Sequence, residues 1–204
     1  MQKRTYNIKN RQTQAQQTKE RILTSAKLLF ESKGFDGVTI DSIAKHADVS
    51  VPSIYSLFKS KIGVLRAVID IVIDKKQFES LVQKASKEKT LRGYIEISAR
   101  IATTIYEAEK TFMNTLNSAS TLSPELKNME KEREERRYKR QEETLTSIAN
   151  QNEFKDTIDL TKARDILWAF TGRDLFRLLV LERKWSLEEY EKWVAESLFQ
   201  ILKK

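Results

Sequence analysis

Thr39-Ile40-Asp41-Ser42-Ile43-Ala44-Lys45-His46-Ala47-Asp48-Val49-Ser50-Val51-Pro52-Ser53-Ile54-Tyr55-Ser56-Leu57-Phe58 holds two helix starts separated by a turn. Thr39 offers a hydroxyl to the free backbone N–H groups of a helix N-terminus, and Asp41 places an acid in the first turn, where the helix dipole favours it. Asp48-Val49 makes the turn. Ser50 then caps a second helix, with Pro52 in the opening turn, where a missing N–H does no harm. Two short helices meeting at a steep angle need a small residue at their contact, an apolar set locking the corner, and a tight turn. Ala44 is the small contact, and Ile43, Ala47, Val49, Ile54 and Leu57 form the packed side. Val51, Pro52, Ser53, Tyr55 and Ser56 then face outward, a set of small and aromatic groups suited to base edges and phosphates in a major groove. The plainer alternative is a buried two-helix corner with no such role.

Upstream, Ile22, Ala26, Leu29 and Phe30 recur on one face of a helix. Gly34 ends it in a left-handed conformation, and Phe35 folds back on its last turn. The polar tract before it carries six bases, Lys3, Arg4, Lys9, Arg11, Lys19 and Arg21, against Glu20 alone. More than half of the chain's net charge of +8 therefore lies in its first tenth. Residues 1–15 are expected to be a flexible basic arm for a polyanion, or else a solvating tail. Downstream, Ser60 caps a helix with Val64, Leu65, Val68, Ile69 and Val72 on one face. The expected division is a DNA-binding domain over 16–76, with its helix-turn-helix at about 39–58, and a second domain over 77–204.

That second domain is also expected to be helical. Leu91, Ile95, Ile101, Ala102 and Ile105 follow a polar break, and Ser123-Pro124-Glu125 marks a further start. Residues 127–143 are nearly all charged and are expected to form an exposed helix held by pairs such as Glu132 with Arg136. The chain turns apolar again over 166–181. Ser186 and Glu189 form a capping box for a last helix, in which Leu187, Tyr190, Val194, Leu198 and Ile201 make a seam for another helix.

Composition supports an all-α fold, with 40% hydrophobic residues, 32% charged, only 5 Gly and 2 Pro. No apolar run approaches the roughly 18 residues of a membrane span, and no apolar leader opens the chain, so the expected location is the cytoplasm with no membrane partner. Zero Cys and a single His, His46, leave no metal cluster and no cofactor to expect. A nucleophile with an adjacent base is likewise missing, so no enzyme is expected.

Lys33-Gly34-Phe35, Thr39-Ile40-Asp41-Ser42-Ile43-Ala44, Val49-Ser50 and Ile54-Tyr55-Ser56-Leu57-Phe58-Lys59-Ser60-Lys61 together resemble the TetR family of bacterial regulators. The segment Arg177-Leu178-Leu179-Val180-Leu181-Glu182-Arg183-Lys184-Trp185-Ser186, with Glu189, Tyr190 and Trp193, resembles the C-terminal part of many such proteins. The resemblance implies an N-terminal three-helix DNA-binding domain and a C-terminal helical domain for ligand binding and dimerisation. It implies phosphate contacts by Thr39, Tyr55 and Lys61, with Lys59 in the same unit, and base contacts among Ser50, Val51, Pro52, Ser53 and Ser56. Three positions depart from the family pattern. Asp48 replaces the usual turn Gly, Leu57 stands where a polar residue is frequent, and Ile62-Gly63 replaces an acid and softens the next helix start.

The function so implied is a repressor, a homodimer on palindromic operator DNA, released by a small-molecule inducer. The dimer would form through Leu175, Phe176, Leu179, Leu187, Tyr190, Val194, Leu198 and Ile201. Pocket candidates are Tyr94, Ile97, Arg100, Ile101, Thr104, Tyr106, Phe112, Met113, Asn117, Trp168 and Phe170, apolar and aromatic residues with a few polar groups. At helical spacing such a set is also what a plain core looks like. The competing function is a DNA-binding protein without an effector, acting in nucleoid organisation or cell division. An internal void in the second domain discriminates the two.

Overall fold

A computed structural model describes the backbone of residues 2–73, 75–122, 124–149 and 153–204, and the side chains of the same residues except 2–11 and 113–122. Among the described residues there are helices and no strand, the all-α class that the composition predicts; Phe154 and Lys203 make one isolated antiparallel bridge. In chain order the helices are α1 (Gln2–Lys33), α2 (Ile40–Ala47), α3 (Val51–Phe58), α4 (Lys61–Val72), α5 (Lys75–Lys87), α6 (Leu91–Leu122), α7 (Pro124–Ala149), α8 (Leu160–Phe170), α9 (Arg173–Phe176), which runs on into a π-helical turn (Arg177–Glu182), and α10 (Leu187–Leu202). They form two compact units, residues 1–72 with 111–126, and residues 73–110 with 127–204. The long helices α6 and α7 thus each contribute to both.

In the first unit, α1 packs on α2 and α4 through Ile22, Leu23, Ala26, Leu29 and Phe30, all buried. Its start corrects an expectation. Residues 2–15, read as a flexible arm, are the first half of a 32-residue helix. No Gly or Pro interrupts the chain before Gly34, and Gln, Lys, Arg and Ala are good helix formers, so nothing local stops the helix. Its end is as read: Gly34 has φ +68°, and Phe35 stacks on Phe30 with ring centroids 5.8 Å apart.

Gly63 also has a different role from the one expected. A Cβ there would overlap the Phe58 carbonyl oxygen, so Gly63 lets the start of α4 press against the end of α3. Its N–H is capped by Ser60 Oγ at 3.0 Å.

In the second unit the core is built from Leu91, Tyr94, Ile95, Ala99, Leu145, Ile148, Leu167, Phe176, Tyr190, Val194 and Leu198. The charged stretch of α7 is not simply a solvated surface. Leu126, Met129, Gln141, Thr144, Leu145 and Ile148 are buried, and Arg133, Arg137 and Arg140 are half-buried. Arg133 pairs with Glu109 of α6, and Arg173 with Glu130. Burying charge in this way is tolerated because each partner neutralises and hydrogen-bonds the other.

Candidate functional site

The corner between α2 and α3 is organised by its caps. Thr39 Oγ1 accepts from Ser42 N at 3.1 Å while Thr39 N donates back to Ser42 Oγ at 3.1 Å. Asp48 closes α2 with φ +51°, the left-handed conformation that an Asp tolerates better than most residues. Ser50 Oγ accepts from Ser53 N at 3.3 Å and lies 2.8 Å from Ser53 Oγ. Both caps fix the helix starts through groups three residues away, which is why they are legible in the sequence.

Ile43, Ala44, Ala47 and Ile54 pack the corner as read. Leu57 does not. It is 41% exposed, and Phe58 is buried in its place, because Ile54 and Phe58 share one stripe at i, i+4 and Leu57 falls a residue short of it. The outward side of α3 therefore carries Pro52, Ser56, Leu57 and Tyr55, which is 49% exposed, with Val51 and Ser53 half-buried beside them. Pro52, Ser53, Ser56 and Leu57 share a shallow groove with Ala15 and Thr18 of α1. Exposed Lys59, at φ +68°, turns its ammonium onto the Ser56 carbonyl at 3.1 Å.

Lys61 is placed differently from a free phosphate contact. Its Nζ donates to the carbonyls of Phe35 and Val38, both at 2.9 Å, and lies 4.0 Å from the centroid of the Phe35 ring. Partial burial lowers its pKa below the usual lysine value. The ammonium clamps the α1–α2 loop to the start of α4.

The second unit holds a cavity of about 150 Å³. Of the sequence candidates, Tyr94, Ile101 and Tyr106 line it. Ile97, Arg100 and Thr104 lie on another face of α6, and Arg100 is exposed and paired with Glu191 at 2.9 Å. Phe170 stacks on Trp193, and Trp168 packs against Tyr138. Phe112 is fully buried but belongs to the first unit. The side chains of Met113 and Asn117 lie outside the described residues. Sequence reasoning missed Arg137, Arg140, Gln141, Thr144 and Thr171 in the wall. The available signal was Leu126, Met129, Leu145 and Ile148, apolar residues at the two ends of α7 that continue one inward stripe through the charged stretch.

Burial pushes the hydroxyls of Tyr94 and Tyr106 up to about 12. Both therefore stay neutral donors, Tyr94 to the Gln141 carbonyl at 3.5 Å and Tyr106 to the Thr171 carbonyl at 3.3 Å.

Residues 22–68 match the family profile described as bacterial regulatory proteins, tetR family. The match takes in the second part of α1, all of α2 and α3, and most of α4, and marks that segment as TetR-like. The transcriptional regulator EthR of Mycolicibacterium smegmatis is 36% identical over 80 residues, 37% of this chain and 37% of that protein. The chain thus spans little more than a third of the length of that relative. Among solved structures, SmeT in complex with triclosan is similar with a TM-score of 0.73 at 19% identity, covering 92% of each chain. FadR from Bacillus subtilis in complex with stearoyl-CoA has a TM-score of 0.70 at 18% identity, covering 88% of this chain and 96% of that one. At these identities the likeness is one of fold, a TetR-like arrangement along most of the chain.

The TetR-like C-terminal segment corrects the expected dimer seam. Phe176, Tyr190, Val194 and Leu198 are fully buried within their own unit, Phe176 and Tyr190 in edge-to-face contact at 5.3 Å. They are not available to a second copy. Leu175, Leu179, Leu187 and Ile201 are half-buried. The apolar surface left outward is Leu178, 40% exposed, and Trp193, 37% exposed, the latter stacked on Phe170 and edge-on to Trp185.

Proposed function

We propose that this chain is a cytoplasmic transcriptional repressor that binds a palindromic operator as a homodimer and leaves it when a small molecule enters the cavity of the second unit. The observation that carries the reading is the outward side of α3. It offers hydroxyls (Ser53, Ser56, Tyr55), a proline and an exposed leucine on a rigid, doubly capped corner of TetR type. Ser50, Val51, Pro52, Ser53 and Ser56 are assigned to base edges and Thr39, Tyr55 and Lys59 to phosphates. Leu57, exposed where the family is often polar, is assigned to an apolar contact such as a thymine methyl.

The cavity in the second unit favours a ligand-released repressor over an effector-free DNA-binding protein. SmeT and FadR, the similar structures, hold triclosan and stearoyl-CoA respectively. Among the described residues no helix is long and apolar enough to cross a membrane, in keeping with a DNA-bound role. The dimer is assigned to the surface around Leu178 and Trp193.

Titration of a duplex carrying an inverted repeat from the DNA flanking the coding region, at several salt concentrations, tests the reading. Affinity should fall steeply with salt, with about 0.9 in log–log slope for each phosphate neutralised. An affinity indifferent to salt overturns it.

A further inference from the structure

We propose that the ligand of the second unit's cavity is a small single-ring acid that also carries a hydrogen-bond donor, its anionic group held by Arg140 and its donor by Gln141. The proposal rests on reading this cavity as the effector site and adds the chemical class of the effector.

Size comes first. A space of about 150 Å³ accommodates one benzene-sized ring, with a rim that reaches the surface at Ser86. Its walls suit a ring: Ile101, Ala102 and Ile105 of α6 and Val82 and Ala85 of α5 are apolar, and Tyr94 and Tyr106 are aromatic.

Charge comes next. Two guanidinium groups and one carboxylate line the cavity, those of Arg137, Arg140 and Glu143. Arg137 is satisfied. It pairs with Glu134 and donates to the Trp168 carbonyl at 2.8 Å and to Thr171 Oγ1 at 2.9 Å. Arg140 is half-buried, with the Phe78 ring centroid 5.4 Å away, and among the described residues it makes no ion pair. Besides its burial, the groups that bear on it are Tyr94, Arg137 and Tyr106, none of them a carboxylate. Burial lowers its pKa, yet an arginine remains protonated in proteins. The cavity wall therefore carries a guanidinium whose charge is uncompensated. A carboxylate is the anion whose two oxygens match its fork. Because both tyrosines stay neutral, no phenolate competes for it.

The second polar demand follows from Thr171. Its one hydroxyl proton goes to the Leu167 carbonyl at 2.7 Å, so towards Arg137 and towards Gln141 Nε2, at 3.1 Å, it acts as an acceptor. That fixes the Gln141 amide with its nitrogen on Thr171 and its oxygen turned away. Gln141 Oε1 is buried in the cavity wall with no donor. A ligand O–H or N–H relieves it, and an unrelieved buried acceptor is costly.

Calorimetric titration of the 204-residue chain with 3-hydroxybenzoate, benzoate and 3-hydroxybenzamide separates these demands. The hydroxy acid should bind at least tenfold more tightly than either analogue. Arg140→Gln should lower its affinity at least tenfold and leave the amide unchanged, with Arg140→Lys recovering part of the loss. Ala102→Phe, which fills the cavity, and Ser86→Trp, at its exposed rim, should abolish binding; the rim variant stands in if the core variant does not fold.

A hydroxy acid that binds no better than its amide, one that keeps its affinity in Arg140→Gln, or the failure of all three probes overturns the acid assignment and leaves the effector cavity in place. Binding that survives both blocking variants locates the ligand elsewhere and overturns the cavity reading as well.

Discussion

Lys61 is where a residue's identity and its role part company. Its ammonium bonds the Phe35 and Val38 carbonyls and rests against the Phe35 ring, so it holds a loop. Hydrogen bonds from a charged donor contribute about 1.5–3 kcal/mol each, less where water competes. Lys61→Met should therefore lower the stability of the DNA-free protein by about 1–3 kcal/mol in urea denaturation. Unchanged stability would return Lys61 to a purely DNA-facing role. A lysine opening a helix beside a DNA-reading unit looks in sequence like a phosphate ligand. Only the return of the 35–38 loop to its side shows the carbonyls it meets first. The same holds at Leu57 and Phe58: both are apolar, and one residue of helical phase decides which is core and which is exposed.

The helices owe their starts to local chemistry and their partners to packing. At the head of α10, Glu189 accepts from Ser186 N at 2.9 Å and Ser186 Oγ accepts from Glu189 N at 3.1 Å. The backbone N–H of Ser186, then its side chain, hold the Glu189 carboxyl below the usual carboxylate range. A carboxylate with a depressed native pKa stabilises above its unfolded pKa, and that contribution is lost as pH falls through the lower native value. Glu189→Ala should therefore lower the thermal midpoint at neutral pH, and the gap to the parent protein should narrow below about pH 4, near the ordinary glutamate value. A gap that does not change with pH would show that the carboxylate contributes nothing to the cap. This start was legible because both groups lie three residues apart. The inward face of α7 was not, since its partners, the buried Glu109 and the half-buried Arg173, lie far away in sequence.

For the assembled molecule, the surface available to a second copy differs from the seam that periodicity suggests. Leu198 is fully buried, and Trp193, on the same helix, is not. Leu198→Asp places a carboxylate in the core of the second unit, which carries a heavy desolvation penalty and should unfold that unit. If the proposed dimer forms on this face, Trp193→Asp should leave the helical circular dichroism intact, give a monomer in sedimentation and weaken binding to the proposed operator, since a palindrome needs two heads. A Trp193→Asp protein that remains dimeric would move the interface off this face.

The all-α class, the caps at Thr39, Ser50 and Ser186, the left-handed turns at Gly34 and Asp48, and the outward set Pro52, Tyr55 and Ser56 all follow from residues within about four positions of one another. Hydrogen bonding and steric preference at that range are written into the local order of side chains. The cavity wall, the clamp of Lys61 and the burial of Tyr190, Val194 and Leu198 inside their own unit depend on which distant helix meets which face. An apolar stripe specifies that it must be covered but carries no information on whether the cover is another helix of the same chain or a second copy. That choice is made only when the elements pack.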